Sequence, residues 1–106
     1  MEEIKFDWDE GNTGHIAAHK VSQTEAEEVL VDDPLEMDFE ITEEGEERWS
    51  YLGETARGRL LYIVITLRTE KVRVITAFDA PMRDKLFYLE TKAGLHNGSE
   101  DTQIRE

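Results

Sequence analysis

Two β-prone runs separated by two residues do most to limit what this chain can become. Arg59 to Arg68 and Lys71 to Phe78 flank Thr69-Glu70. That is the spacing of a tight antiparallel hairpin, although Thr-Glu is not a favoured turn pair. A two-residue turn fixes the register. Leu61 then faces Phe78, Ile63 faces Thr76, Ile65 faces Val74 and Leu67 faces Val72, giving one apolar, core-directed face. The other face pairs Tyr62 with Ala77, Val64 with Ile75, Thr66 with Arg73, and Arg68 with Lys71. An apolar surface is thus set against one that displays Tyr62, Thr66, Arg68, Lys71 and Arg73.

The hairpin needs neighbours to bury its apolar side, and the flanking sequence supplies them. Leu35, Met37, Phe39 and Ile41 alternate with Glu36, Asp38 and Glu40, a strand with one buried and one acidic face. Glu47 to Gly53, carrying Trp49 and Tyr51, reads as a further strand after a charged loop around Gly45. Upstream, Asp9 is a fitting N-cap for a helix from Glu10 to about Lys20. Gly11 and Gly14 weaken that helix, each by up to about 1 kcal/mol. On it, Asn12, His15, Ile16 and His19 share one face. Ser22-Gln23-Thr24-Glu25 matches a capping box, Ala26, Val29 and Leu30 form the stripe of the helix it opens, and Asp33-Pro34 ends it. After the hairpin, Asp79-Ala80-Pro81 opens a last helix. Its Met82, Leu86, Leu89 and Ala93 stripe is expected to cover the sheet, with Arg83, Lys85 and Tyr88 off it.

The expected fold is one α+β domain over residues 1–93. It has two N-terminal helices, an antiparallel meander sheet of about four strands and a C-terminal helix. Residues 94–106 lose all pattern and read as a disordered tail. A chain of 106 residues suits one core. No apolar run approaches the roughly 20 residues of a membrane span. The acidic first residues lack the basic start of a secretory leader, and there is no cysteine. These features point to a cytoplasmic protein without disulfides, thiol catalysis or thiolate metal sites.

Net charge is −13, which by itself disfavours phosphate binding. Its distribution is uneven. Residues 1–50 hold 17 acids and 3 bases, whereas residues 57–92 hold 8 bases and 4 acids. A positive face on the back half is therefore possible beside an acidic front. Arg57, Arg59, Arg68 and Arg73 are either solvated partners for the many carboxylates or a phosphate-binding surface, a task that suits the planar, permanently ionised guanidinium. His15 and His19 have the i, i+4 spacing of a zinc helix. Ile16 stands where a metalloprotease has Glu, and no third ligand is near in sequence, so no metal is expected. Trp8 and Trp49 read as core anchors.

Several of these pieces, in this order, resemble the BrnT family of type II toxin–antitoxin ribonucleases. They are Phe6-Asp7-Trp8-Asp9, then Gly11-Asn12 with His15-Ile16 and His19-Lys20-Val21, then Glu25-Ala26 with Val29. Gly53, Thr55 and Gly58-Arg59 with Leu61 follow, and Arg73-Val74-Ile75-Thr76-Ala77 completes the series over roughly residues 4–90. The resemblance implies a RelE-like fold and metal-independent endoribonuclease chemistry without a cofactor. The RNA 2′-hydroxyl would be the nucleophile, and a cognate antitoxin protein the partner. Carried over by position, His19, Arg59, Arg68 and Arg73 are the implied catalytic residues. Arg57, Lys71, Arg83 and Lys85 are candidate RNA-binding cations, with no membrane role and an open oligomeric state. Phe78 stands where the family usually places an arginine, and Pro81-Met82-Arg83-Asp84 replaces an arginine-rich helix start. The alternative is a catalytically inactive binding module of the same fold whose acidic face docks a basic protein partner.

Overall fold

The computed structural model describes residues 3–94, so the tail expected beyond Gly94 lies outside the described residues. The elements run α1 (Glu10–Ala17), α2 (Gln23–Val31), β1 (Leu35–Ile41), β2 (Glu47–Glu54), β3 (Leu60–Arg68), β4 (Lys71–Asp79) and α3 (Met82–Lys92). The four strands form one antiparallel sheet in the order β1-β2-β3-β4. The α+β class, the helix order and the meander are those expected from the sequence.

Both N-terminal helices begin on reciprocal caps. Asp9 accepts from the Asn12 backbone while the Asn12 side chain accepts from Asp9 N–H, and Ser22 and Glu25 do the same for α2. α1 stops at Ala17, short of the expected Lys20. Lys20 takes a positive φ of 63°, which turns the chain towards α2. α2 lays Ala26, Val29 and Leu30 on the sheet, where they meet Leu61, Ile63, Val74 and Ala77, with Ile16 and Val21 in the same core. Gly53 permits this approach, because a Cβ there would lie 2.9 Å from Val29 Cγ1.

The hairpin turn forms as its length demands, with Thr69 at φ 53° and Glu70 at φ 66°. Two non-glycine residues in the left-handed region cost about 1–2 kcal/mol each. The register gained along two nine-residue strands outweighs that cost. Four pairs match expectation: Arg68 with Lys71, Leu67 with Val72, Thr66 with Arg73, and Ile65 with Val74. Beyond them the expected register is corrected. Ile75 is an extra residue, a β-bulge, so Val64 pairs with Thr76, Ile63 with Ala77, Tyr62 with Phe78 and Leu61 with Asp79. Because side chains alternate in strands, the single insertion reverses every later residue. Ala77 enters the core. Thr76 and Phe78 come out on the opposite face, beside Tyr62.

The outer edge of β4 is covered by residues 5–7. Asp7 N–H donates to Val72 O and Val72 N–H donates to Lys5 O, each at 2.8 Å. α1 follows along the same edge. On the far face of the sheet, a second small core joins Leu52, Ala80 and Tyr88, with Leu35, Met37, Leu60 and Tyr62 against it. Here too the sequence reading needs correction. Tyr88 is the buried residue of α3, whereas Met82, Leu86 and Leu89 are exposed. The helix starts only after Pro81, with Ala80 buried beneath it, and this sets its rotation about the axis. One large ring fills the gap over Leu52.

Candidate active site

The polar cluster sits where α1 meets the bulged half of β4. Asn12 is the anchor. It is buried, and its amide nitrogen donates to Asp7 O at 3.0 Å and to Val74 O at 3.2 Å. Its Oδ1 accepts from Asp9 N–H at 2.9 Å. One side chain therefore ties the helix start to both the covering segment and the strand. That fixes the rotation of α1 and points its exposed histidines over the sheet edge.

His15 Nε2 lies 3.2 Å from Thr76 Oγ1. His19, one turn further, stands edge-on to His15 with ring centroids 5.6 Å apart, and 6.0 Å from the Phe78 ring. Arg73 completes the group. Its Nη2 donates to Asp9 Oδ1 at 3.2 Å. Its Nη1 is ion-paired 3.0 Å from Asp9 Oδ2 and 3.6 Å from Asp7 Oδ2, at angles short of a hydrogen bond, and this nitrogen is buried from solvent. The bond from Arg73 holds the Asp9 carboxyl below its ordinary range, helped by the Asn12 backbone N–H. The same contact with Asp9 raises the Arg73 value. Gly11, Asn12, His15, Arg73, Val74 and Ile75 line a shallow hollow here of about 200 Å³. A larger open hollow of about 640 Å³ at the hairpin tip is lined by Glu3, Ile4, Lys5 and residues 69–72, and holds no histidine or arginine.

Arg59 is placed differently from Arg73. Its Nε donates to Asp79 Oδ1 at 2.8 Å, and its Nη1 donates to Lys20 O at 2.7 Å and Glu25 Oε1 at 3.0 Å. Nη2 reaches His19 O at 3.5 Å. The guanidinium is thus committed to its own chain, locking the α1–α2 connection to the end of β4. Asp79 is held below its ordinary value chiefly by the Arg59 hydrogen bond, and Glu25 chiefly by the Ser22 backbone N–H, with Arg59 adding to it. Both carboxylates therefore contribute stability above their ordinary values of 3.8 and 4.5, and lose it as pH falls through the lowered folded-state values. Arg59→Ala is expected to lower stability by about 1–2 kcal/mol near neutral pH, after allowing for partial exposure. The ion-pair part of that gap should close as pH falls through the lowered folded-state values of Asp79 and Glu25, while the part due to the Lys20 and His19 carbonyls remains.

Arg68 and Lys71 share the sheet face of Arg73 but stand at the exposed hairpin tip. Arg57 and Arg83 are exposed, and Lys85 lies near Asp79 on the first turns of α3. Of the residues singled out from the sequence, the structure brings His19 and Arg73 to the α1–β4 cluster. Arg59 touches it only through backbone, and the rest stay outside. Asn12, His15 and Thr76 join it; the sequence reading set Asn12 and His15 on the helix face of His19 without naming them as site residues, and expected Thr76 on the core face. For Asn12 the signal was there, since Asp9 and Asn12 have reciprocal-cap spacing. For Thr76 there was none without the bulge. Among the described residues no three His, Cys, Asp or Glu side chains gather as a metal site, and no helix is long and apolar enough to cross a membrane.

A family model described as the ribonuclease toxin BrnT of type II toxin–antitoxin systems matches residues 8–84. That span contains every residue of the α1–β4 cluster except Asp7. No curated protein matches the chain.

Proposed function

The chain belongs to the BrnT family of type II toxin–antitoxin ribonuclease toxins, and from that premise we propose that it is a metal-independent endoribonuclease centred on His15, His19, Arg73 and Thr76. The observation that carries this reading is the convergence of two imidazoles, a hydroxyl and a largely buried, carboxylate-paired guanidinium at one edge of the sheet. Imidazole can take and return a proton near neutral pH. A guanidinium can bridge two phosphate oxygens and stabilise the charge that grows on them as the 2′-hydroxyl attacks. Arg73 is suited to that work. His19 and His15 are suited to proton transfer, with Thr76 orienting His15. Arg59 serves by holding the turn that follows His19. Arg57, Arg68, Lys71, Arg83 and Lys85 remain candidate contacts for flanking RNA phosphates. A cognate antitoxin would be the protein partner, in the cytoplasm.

The test is cleavage of single-stranded RNA by the purified chain in EDTA. His15→Ala and His19→Ala are each expected to slow it by about 10²–10⁴-fold, the usual contribution of a positioned acid or base. Equal rates for both variants and the wild type would remove the histidines from the reaction.

One observation favours the second reading, an inactive binding module. Both site-adjacent arginines pair with the chain's own carboxylates, Arg59 with Glu25 and Asp79, and Arg73 with Asp7 and Asp9. In that reading the acidic surface docks a basic partner, and the wild type leaves RNA intact.

A further inference from the structure

The bulge at Ile75 brings more than Thr76 to the face that also carries α3. It also delivers Phe78, whose ring stacks on Tyr62 with centroids 5.4 Å apart and planes only 12° from parallel. His19 is the other ring neighbour of Phe78, at 6.0 Å, and His15 lies 5.6 Å beyond His19. A continuous row of four rings therefore runs from the Arg73 cluster across the sheet. Tyr62 and Phe78 are half-buried and both histidines are exposed.

We propose that His19, Phe78 and Tyr62 form a base-stacking subsite that holds an unpaired nucleobase of RNA next to the phosphate position at Arg73. This rests on the ribonuclease reading and assigns it a source of affinity. Charge supplies little here. The chain carries −13, and Arg73 and Arg59 are already paired with Asp and Glu. Single-stranded RNA is held by two means, phosphate contacts and ring stacking, and stacking works whatever the net charge of the protein. The offset, nearly parallel Tyr62–Phe78 pair packs on the α3 core at Tyr62 but leaves part of its ring surface to solvent, which a further flat ring can extend. The tilted His19 ring closes one side of it. An arginine at position 78 would add a cation, whereas Phe78 exchanges that charge for a stacking face. An unpaired base fits this surface better than a duplex, whose bases are already stacked on one another.

The experiment uses the full chain and a fluorescein-labelled, 2′-O-methyl single-stranded oligonucleotide, which binds without being cleaved. Anisotropy titrations are run at low and moderate salt. Phe78→Ala and the volume-preserving Phe78→Leu are each expected to weaken binding about tenfold, while Phe78→Trp holds or improves it. The ratio of variant to wild-type affinity should be the same at both salt concentrations, since no charge is lost. Placing one abasic site in the oligonucleotide should cost the wild type as much as Phe78→Leu does, and should cost that variant nothing further. Unchanged affinity in folded Phe78→Leu overturns the subsite while leaving the ribonuclease reading intact. Loss of antitoxin binding with RNA affinity unchanged overturns it too, and gives the row to a protein interface. A wild type that neither binds nor cleaves RNA overturns the ribonuclease reading, and the subsite with it.

Discussion

Arg73→Ala is expected to slow RNA cleavage by about 10²–10³-fold, the loss typical of removing one preorganised donor to a developing anion. Two effects act together. The guanidinium charge disappears, and Asp7 and Asp9 are left as uncompensated negative charges where a phosphate must sit. Arg73→Lys restores the charge without the planar fork, so it should recover only a small part of the rate. Folding should change little by comparison, because Asp9 still caps α1 through the Asn12 backbone N–H and Asn12 still anchors the helix. Initial rates on single-stranded RNA, with thermal melts alongside, separate the two effects. Rates within about threefold of the wild type would mean that Arg73 is a structural ion pair and nothing more.

The largest stability effect is expected at Asn12. Asn12→Ala leaves the carbonyls of Asp7 and Val74 and the N–H of Asp9 without their side-chain partner at a buried position. Unsatisfied buried groups cost about 1–3 kcal/mol each and do not add fully, so a total of about 2–4 kcal/mol is expected. For a domain of this size that lowers Tm by roughly 10–20 °C. Asn12→Asp should be nearly as damaging, because the carboxylate cannot donate to either carbonyl and places a third acid beside Asp7 and Asp9. Activity should fall faster than stability on mild warming, since the rotation of α1 sets where His15 and His19 stand. Calorimetry and activity measured over the same temperatures check both parts.

Most of the scaffold was legible because its signals are local. The N-cap at Asp9, the capping box at Ser22, the Asp33-Pro34 stop, the alternation from Leu35 to Ile41 and the two-residue gap at Thr69-Glu70 each act over a few residues. Together they specify helix starts, a strand and the first four pairs of the hairpin, but not burial along β1, where Phe39 and Ile41, expected on the buried face, are exposed. What stayed hidden depends on contacts distant in the chain. The bulge at Ile75 is one extra residue within an apolar run, and nothing in Val74-Ile75-Thr76 distinguishes it from an unbroken strand. Its consequence is large, because it decides that Ala77 is core and that Thr76 and Phe78 are not. The orientation of α3 was misjudged for a related reason. Several leucines suggested the buried stripe, but the space over Leu52 is filled by the single ring of Tyr88. For the site itself, the family resemblance led to His19 and Arg73. It could not separate Arg73, which faces Asp7 and Asp9 beside the histidines, from Arg59, whose guanidinium is spent on Asp79, Glu25 and two carbonyls.

The central claim is that the α1–β4 edge performs phosphodiester chemistry through the 2′-hydroxyl. It is tested most directly by incubating the purified chain with single-stranded RNA in EDTA and identifying the new ends by mass spectrometry. Cleavage is expected to leave 2′,3′-cyclic phosphate and 5′-hydroxyl ends, and to be lost in Arg73→Ala. Intact RNA, or cleavage that stops in EDTA and leaves 5′-phosphate ends, would contradict it.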